Sequence, residues 1–169
     1  IPLGGTEDLW NLYLKKWIYN RVSSQERIIL LQGNDKEVTV FSKDENMHKF
    51  FSKTKVINEE TERTKIIEDS KINLHIMDRQ IQDGFSLNVM EIMACGGFLL
   101  CNYSPAMEEF FVPDEDYVYF EDETDLKKKI EFYLQDEEER KRIAKNGFEK
   151  VQKEHLIFHR IEQMLKILY

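Results

Sequence analysis

The sequence predicts an α/β fold of the Rossmann-like type, an open parallel sheet with helices on both faces and a helical C-terminal tail. Three observations lead to this prediction. Short β-branched or apolar runs alternate with helical patterns over residues 36–121. Gly96 and Gly97 separate an apolar helical stretch from an apolar strand. From residue 122 to 169 the periodicity is helical throughout.

Length and composition favour one folded domain over residues 1–169, with leading helices at 7–35, an α/β core at 36–121 and a helical tail at 122–169. The chain is 41% hydrophobic and 12% aromatic, which is typical of a globular protein. Its formal charge of -8, without a basic cluster, argues against nucleic acid or an anionic membrane surface as a partner. No stretch has the length and apolar character of a membrane span.

The first part of the chain predicts helices followed by two short strands. The opening helical pattern places apolar side chains on one side, at Leu9, Leu12, Tyr13, Trp17 and Ile18. An amphipathic segment follows at 27–32, and the β-branched run VTVF predicts a strand at 38–41. A second short strand is expected at 55–57 and a short helix around 61–68.

A strand, a helix and a second strand come next, at 72–76, 86–95 and 98–102. This order predicts a right-handed parallel unit. A Ser-Pro pair then predicts a short helix at 104–111, and a further strand is expected at 117–120.

Three apolar stripes mark the helices of the tail. They consist of Leu126, Ile130, Tyr133 and Leu134, then Ile143, Gly147 and Val151, and finally Phe158, Ile161, Leu165 and Leu168. The acid-rich stretches at 114–125 and 137–139 are expected to be solvated carboxylates near helix N-termini.

In an open parallel sheet the ligand site lies beyond the carboxyl ends of the strands. The loop after the strand at 72–76 carries Arg79, Gly84 and Ser86 and leads into a helix N-terminus, which suits a phosphate. Gly84 lets the backbone approach a ligand closely, and the guanidinium of Arg79 suits a diphosphate. Two other interpretations stay open, because Ser86 is equally expected as a structural N-cap and Arg79 would otherwise form a surface salt bridge.

Glu91 is the one ionised residue between Gly84 and Met107, and apolar residues surround it in the predicted helix. A buried carboxylate costs several kcal/mol unless something pairs with it. Either the helix exposes Glu91, therefore, or a ligand uses it.

Residues 83–96, DGFSLNVMEIMACG, resemble the donor-binding signature of retaining glycosyltransferases with two Rossmann-like domains, the GT-B type. In that signature an acid, a glycine, a phenylalanine and a small residue are followed by a second acid, with seven residues between the acids. Asp83 and Glu91 bracket seven residues here. The wider stretch 70–111, and the tail at 133–155, are similar to the glycosyltransferase-like domain of spore maturation proteins.

The resemblance implies the C-terminal half of a GT-B fold, with a nucleotide-diphosphate sugar as donor substrate and with no cofactor or metal. It implies that Glu91 accepts hydrogen bonds from the ribose hydroxyls and that Asp83 contacts the sugar. Gly84, Phe85 and Ser86 match the loop whose backbone approaches the diphosphate. Asp83 is one methylene shorter than the glutamate usual in the family.

Such enzymes also have an N-terminal domain with the acceptor site. We expect it to be missing from this sequence, which begins with Ile1 rather than methionine and is expected to be a fragment or a processed product. The basic residues that often begin the family's C-terminal half have no evident counterpart, and Arg79 and Lys43 are the expected substitutes. The implied function is donor binding and charge stabilisation of the leaving diphosphate in a metal-independent hexosyltransferase. The isolated chain is not expected to be active.

The alternative is a non-catalytic α/β module for regulation or protein interaction. Asp114, Glu115 and Asp116 supply the residue types of a metal site, but they lie in a predicted turn outside the matching stretch and are expected to be surface residues. Cys95 and Cys101 lack metal-ligand spacing and indicate a reducing compartment, so a cytoplasmic location is expected.

Overall fold

The computed structural model of the protein describes residues 40–42, 54–56, 60–77 and 84–168. The leading helices predicted at 7–35 lie outside these residues. The described residues belong to two compact units, each of which is a body of its own.

The first unit contains two short strands, β1 (Val40–Ser42) and β2 (Thr54–Val56). They pair in parallel, with Val40 opposite Thr54 and Ser42 opposite Val56. The strands predicted at 38–41 and 55–57 are therefore confirmed to within two residues.

The second unit contains the remaining described elements. In chain order they are α1 (Glu60–Asp69), β3 (Asn73–His75), α2 (Leu87–Ala94), β4 (Leu99–Asn102), α3 (Pro105–Glu108), β5 (Val118–Phe120), α4 (Glu123–Gln135), α5 (Glu137–Glu154) and α6 (Ile157–Leu168). Strands β3, β4 and β5 form a parallel sheet in that order, with Leu74 opposite Leu100 and Leu100 opposite Val118. A parallel sheet with helices and a helical C-terminal tail confirms the predicted fold class, while the single domain over 1–169 stays a prediction.

The core of the second unit is centred on β4, the middle strand. Phe98 to Cys101 are all buried, which is the continuous apolar run expected when a parallel strand is covered on both faces. Val89, Ile92 and Met93 of α2 are buried as well. The core therefore holds α2 in place, and with it the described residues 84–86 that directly precede this helix.

Helix α2 ends at the predicted Gly-Gly pair. Gly96 has a φ of 71°, a left-handed conformation that glycine adopts without a steric penalty. Its N–H donates to the carbonyl of Met93, and the N–H of Gly97 donates to the carbonyl of Ile92, both at 2.9 Å. These bonds satisfy carbonyls that the end of a helix otherwise leaves unpaired.

The acid-rich stretches form helix caps, as the sequence predicts. The side chain of Asp122 accepts a hydrogen bond from the N–H of Asp125 at the start of α4. Asp136 does the same for Glu139 at the start of α5, and further carboxylates occupy both first turns. Carboxylates at these positions interact favourably with the helix dipole.

Two of the three apolar stripes in the tail contribute to the core, and the third does not. Leu126, Ile130 and Tyr133 are buried, as are Ile143, Gly147 and Val151. On α6, by contrast, Phe158, Ile161 and Leu165 are exposed, because no element within the described part of the chain covers that face. The period of a stripe shows that a helix is amphipathic but not what packs against it.

None of the helices in the described residues is both long and apolar enough to cross a membrane.

Candidate functional site

The loop before α2 reaches the helix through a neutral N-cap. Ser86 has extended backbone angles, and its hydroxyl accepts a hydrogen bond of 3.3 Å from the N–H of Asn88. No acidic residue lies in the first turn of α2, whereas α4 and α5 have carboxylates at theirs. The partial positive charge at this helix start is therefore not neutralised by the helix's own side chains, which favours an anionic ligand.

Gly84 and Phe85 connect this loop to the region around α3. The hydroxyl of Ser104, the N-cap residue of α3, donates to the carbonyl of Gly84 at 3.4 Å. The ring of Phe85 packs edge-on against Phe110 and Phe111, with centroid distances of 5.6 and 6.1 Å. Phe85, which matches the phenylalanine of the family signature, thus anchors residues 84–86 by aromatic packing.

Glu91 forms an ion pair with Arg63 of α1. The Arg63 Nη2 atom lies 2.6 Å from Glu91 Oε2 and donates a hydrogen bond of 3.0 Å to Asn88 Oδ1. Asn88 and Glu91 are three residues apart and so share one face of α2. The Glu91 side chain is 31% exposed, so the carboxylate is both accessible and paired.

A polar seam runs along this interface between α1 and α2, formed by Arg63, Thr64, Asn88, Glu91 and Cys95. Burial raises the pKa of the Cys95 thiol, and the negative charges of Glu91 and Glu68 raise it further. A hydrogen bond with Thr64 and the positive charge of Arg63 act in the opposite direction. The seam is therefore an electrostatically coupled group of side chains beside the start of α2.

Of the site residues predicted from sequence, the structure brings together Gly84, Phe85, Ser86 and Glu91 on one loop and one helix. Asp83, Arg79 and Lys43 lie outside the described residues, and their roles stay predictions. Sequence reasoning missed Arg63. The cost of an unpaired carboxylate predicts that Glu91 needs a cation, but no spacing in the sequence selects which one.

Asp114, Glu115 and Asp116 form a structural turn before β5. The carboxylate of Asp116 accepts a hydrogen bond from the N–H of Val112 at 2.9 Å. The carbonyls of Asp114 and Glu115 accept hydrogen bonds from Arg142 and Asn146 of α5. No group of three potential metal ligands occurs among the residues that the structure describes.

A shallow cleft of about 430 Å³ lies between the end of α5 and α6. Its walls carry charges of both signs, many of them paired, such as Lys150 with Glu154 and Lys166 with Glu162. None of the predicted site residues that the structure describes, Gly84, Phe85, Ser86 and Glu91, lines this cleft. The described residues 84–86 before α2, together with the polar seam, are therefore the better candidate for a functional site.

The family model for "glycosyl transferase-like" proteins matches residues 41–166, roughly three quarters of the chain. The chain belongs to this glycosyl transferase-like family. The match includes both the loop before α2 and the polar seam. No curated protein matches the chain.

Among solved structures, this glycosyl transferase-like domain is similar to the C-terminal domain of a glycosyl transferase group 1 family protein, LpcC, from Francisella tularensis. The TM-score is 0.58 at 20% sequence identity, and the match covers 79% of this chain and 80% of that one. At this identity the likeness shows the fold, which is that of a GT-B C-terminal domain.

Proposed function

We propose that the chain is the donor-binding domain of a metal-independent glycosyltransferase that uses a nucleotide-diphosphate sugar. One observation carries the proposal: a helix start free of acidic residues is followed, one turn into the same helix, by a partly exposed carboxylate at Glu91. A helix N-terminus binds phosphate oxygens, and a carboxylate accepts hydrogen bonds from a vicinal diol. A nucleoside diphosphate presents these two groups, phosphate and ribose, close together.

In this proposal Glu91 accepts hydrogen bonds from the ribose hydroxyls, while Gly84, Phe85 and Ser86 approach the diphosphate. The Ser86 hydroxyl already caps α2, so its contribution is to hold the loop and orient the backbone N–H groups. Asp83 contacts the sugar, and the cations Arg79 and Lys43 balance the charge of the leaving diphosphate.

The reaction is transfer of a hexosyl group to an acceptor hydroxyl. The bond from the anomeric carbon to the diphosphate oxygen breaks, the acceptor oxygen forms a new bond to that carbon, and the acceptor proton passes to a base. The acceptor site belongs to a second domain, N-terminal to this one, so the isolated chain binds donor without turning it over. A cytoplasmic location accords with the free thiols of Cys95 and Cys101.

Thermal unfolding in the presence of nucleoside diphosphates tests the binding step. UDP, GDP, ADP and inorganic pyrophosphate are compared, each at a concentration well above its expected Kd. A ligand at about 100 times its Kd stabilises the folded state by about 2.7 kcal/mol, which corresponds to a shift of several degrees in Tm. We expect at least one nucleotide to give such a shift and Glu91→Gln to remove most of it.

Glu149→Gln is the matched control, because Glu149 is an exposed, ion-paired glutamate on α5 rather than on α2. It should leave the ligand-induced shift unchanged. If no nucleotide in the panel raises Tm, the proposal is wrong and the non-catalytic regulatory or interaction module becomes the better interpretation.

A further inference from the structure

We propose that Arg63 is a positioning residue that holds the Glu91 carboxylate in the orientation needed to bind ribose. This inference rests on the proposed function of Glu91. The Arg63 Nη2 atom contacts both Glu91 Oε2, at 2.6 Å, and Asn88 Oδ1, at 3.0 Å. A single guanidinium nitrogen thus links the carboxylate to the first turn of α2.

Helix α1 has its own anchors and does not depend on this ion pair for its place. Ile67, one turn beyond Arg63, is buried with 5% exposure. Its carbonyl accepts a hydrogen bond of 3.1 Å from Asn73 Nδ2. Its side chain lies so close to Gly97 that a Cβ added there would be 2.7 Å from Ile67 Cγ2. The C-terminal half of α1 is therefore fixed by packing, and Arg63 is available for another role.

The ion pair itself contributes little to the stability of the fold. The Arg63 and Glu91 side chains are 32% and 31% exposed, and solvent screens the attraction within a pair that is this exposed. Its larger effect is on the conformation of Glu91. A free glutamate side chain has several rotatable bonds, and fixing them when a ligand binds costs conformational entropy that weakens binding. Arg63 fixes them before the ligand arrives.

The held carboxylate keeps its capacity to accept further hydrogen bonds. An ionised carboxylate has about four lone-pair sites on its two oxygens, and Arg63 is placed on Oε2. The contact with Asn88 also fixes the distance between the Glu91 carboxylate and the helix start, because the Asn88 N–H donates a hydrogen bond to the Ser86 hydroxyl there. Arg63 and Asn88 in this way hold the Glu91 carboxylate, which would bind the ribose, at a fixed position relative to residues 84–86, which would face the diphosphate. A preorganised binding site requires such a fixed arrangement.

The test compares ribonucleotides with analogues that lack the ribose hydroxyls. Kd values are measured by calorimetry for UDP, GDP and ADP and for their 2′,3′-dideoxy analogues. The variants are Arg63→Gln, Arg63→Lys and, as a matched control on α1, Lys65→Gln at an exposed position. A hydrogen bond to a charged group contributes about 1.5–3 kcal/mol. The Kd of the wild type for the best ribonucleotide should therefore be lower than its Kd for the dideoxy analogue by about tenfold or more.

Arg63→Gln is expected to lose most of this preference while its Kd for the dideoxy analogue changes less than about twofold. Arg63→Lys should recover part of the preference, and Lys65→Gln should retain all of it. A purely structural role for Arg63 predicts equal losses for both ligand types, and that result overturns the inference. Full ribose preference in Arg63→Gln, or no ribose preference in a wild type that binds, overturns it as well. A wild type that binds no nucleotide refutes the proposed function itself.

Discussion

The backbone N–H of Cys95 donates a hydrogen bond of 3.0 Å to the carbonyl of Glu91. The thiol therefore lies one helical turn beyond the carboxylate, within the polar seam. Burial raises the pKa of Cys95, Glu91 raises it further, and Arg63 lowers it. Because thiol reactivity follows the thiolate fraction, Cys95 reports on the charges of both partners of the ion pair.

Neutralising the two partners should change the reactivity of Cys95 in opposite directions. Glu91→Gln removes a negative charge, lowers the pKa of Cys95 and speeds its alkylation at pH 8. Arg63→Gln removes a positive charge, raises that pKa and slows the reaction. Iodoacetamide rates from pH 7 to 10, with the modified peptide identified by mass spectrometry, measure both effects.

The second cysteine provides an internal control for this measurement. Cys101 is fully buried in β4, and burial raises its pKa to about 12. It should stay unmodified in the folded protein and react only in urea. Rate changes of the same sign in the two variants would contradict the proposed coupling in the seam.

Gly147→Ala should destabilise the protein, although alanine is the better helix former by up to about 1 kcal/mol. A Cβ at position 147 would lie 2.5 Å from the Asp116 carbonyl oxygen and 3.0 Å from Met93 Cε. Backbone must move to relieve the first contact, and overpacking of this kind costs about 1–3 kcal/mol. Urea unfolding measures the loss, with Lys145→Ala at an exposed position of α5 as the control. A stabilised Gly147→Ala variant would contradict this prediction and show that the backbone of the turn at 114–116 moves away from the new Cβ at little cost.

The sequence predicts the sheet and the buried stripes well, because each depends on local chemistry. Local sequence features specify one conformation in three places. These are the apolar run from Phe98 to Cys101, the Gly-Gly pair that ends α2, and the helical period of Ile143, Gly147 and Val151. The exposed stripe of α6 shows where this reasoning stops, since burial depends on a neighbour that the period does not reveal.

The candidate site is predictable to the extent that it lies on one segment. Gly84, Ser86 and Glu91 belong to a single loop and helix, and their spacing along the sequence fixes their relation in space. The partner of Glu91 comes instead from α1, and Asn88, which Arg63 also contacts, is 25 residues away from it in sequence. Only the packing of α1 on α2 makes that pairing visible.

Arg140→Ala should cost about 1–3 kcal/mol of unfolding free energy. Arg140 is buried on α5, and its Nη1 donates to the carbonyl of Tyr133 in the last turn of α4. Its loss leaves that carbonyl without this donor and opens space around it. Lys141→Ala, next in sequence, removes only an exposed pair with Glu137 and should cost less than about 0.5 kcal/mol. Equal effects of the two substitutions in urea unfolding would contradict a capping role for Arg140.

His155 should make the folded state less stable as the pH falls below neutrality. Its ring packs against Phe111, with centroids 4.9 Å apart, and Arg160 Nη2 lies 2.5 Å from its Nδ1. Burial lowers the pKa of His155, and the positive charge of Arg160 lowers it further, while Glu154 opposes the shift. The unfolded chain therefore takes up the proton first, near the ordinary value of about 6.5, so this stabilising contribution is present above that pH and is lost below it. The unfolding free energy of the wild type minus that of His155→Gln should shrink between pH 7.5 and 5.5, because every other titrating group is common to both proteins. A difference that stays constant over this range would show that His155 binds its proton equally well in both states, and one that grows as the pH falls would show tighter proton binding in the folded state; either result contradicts the prediction.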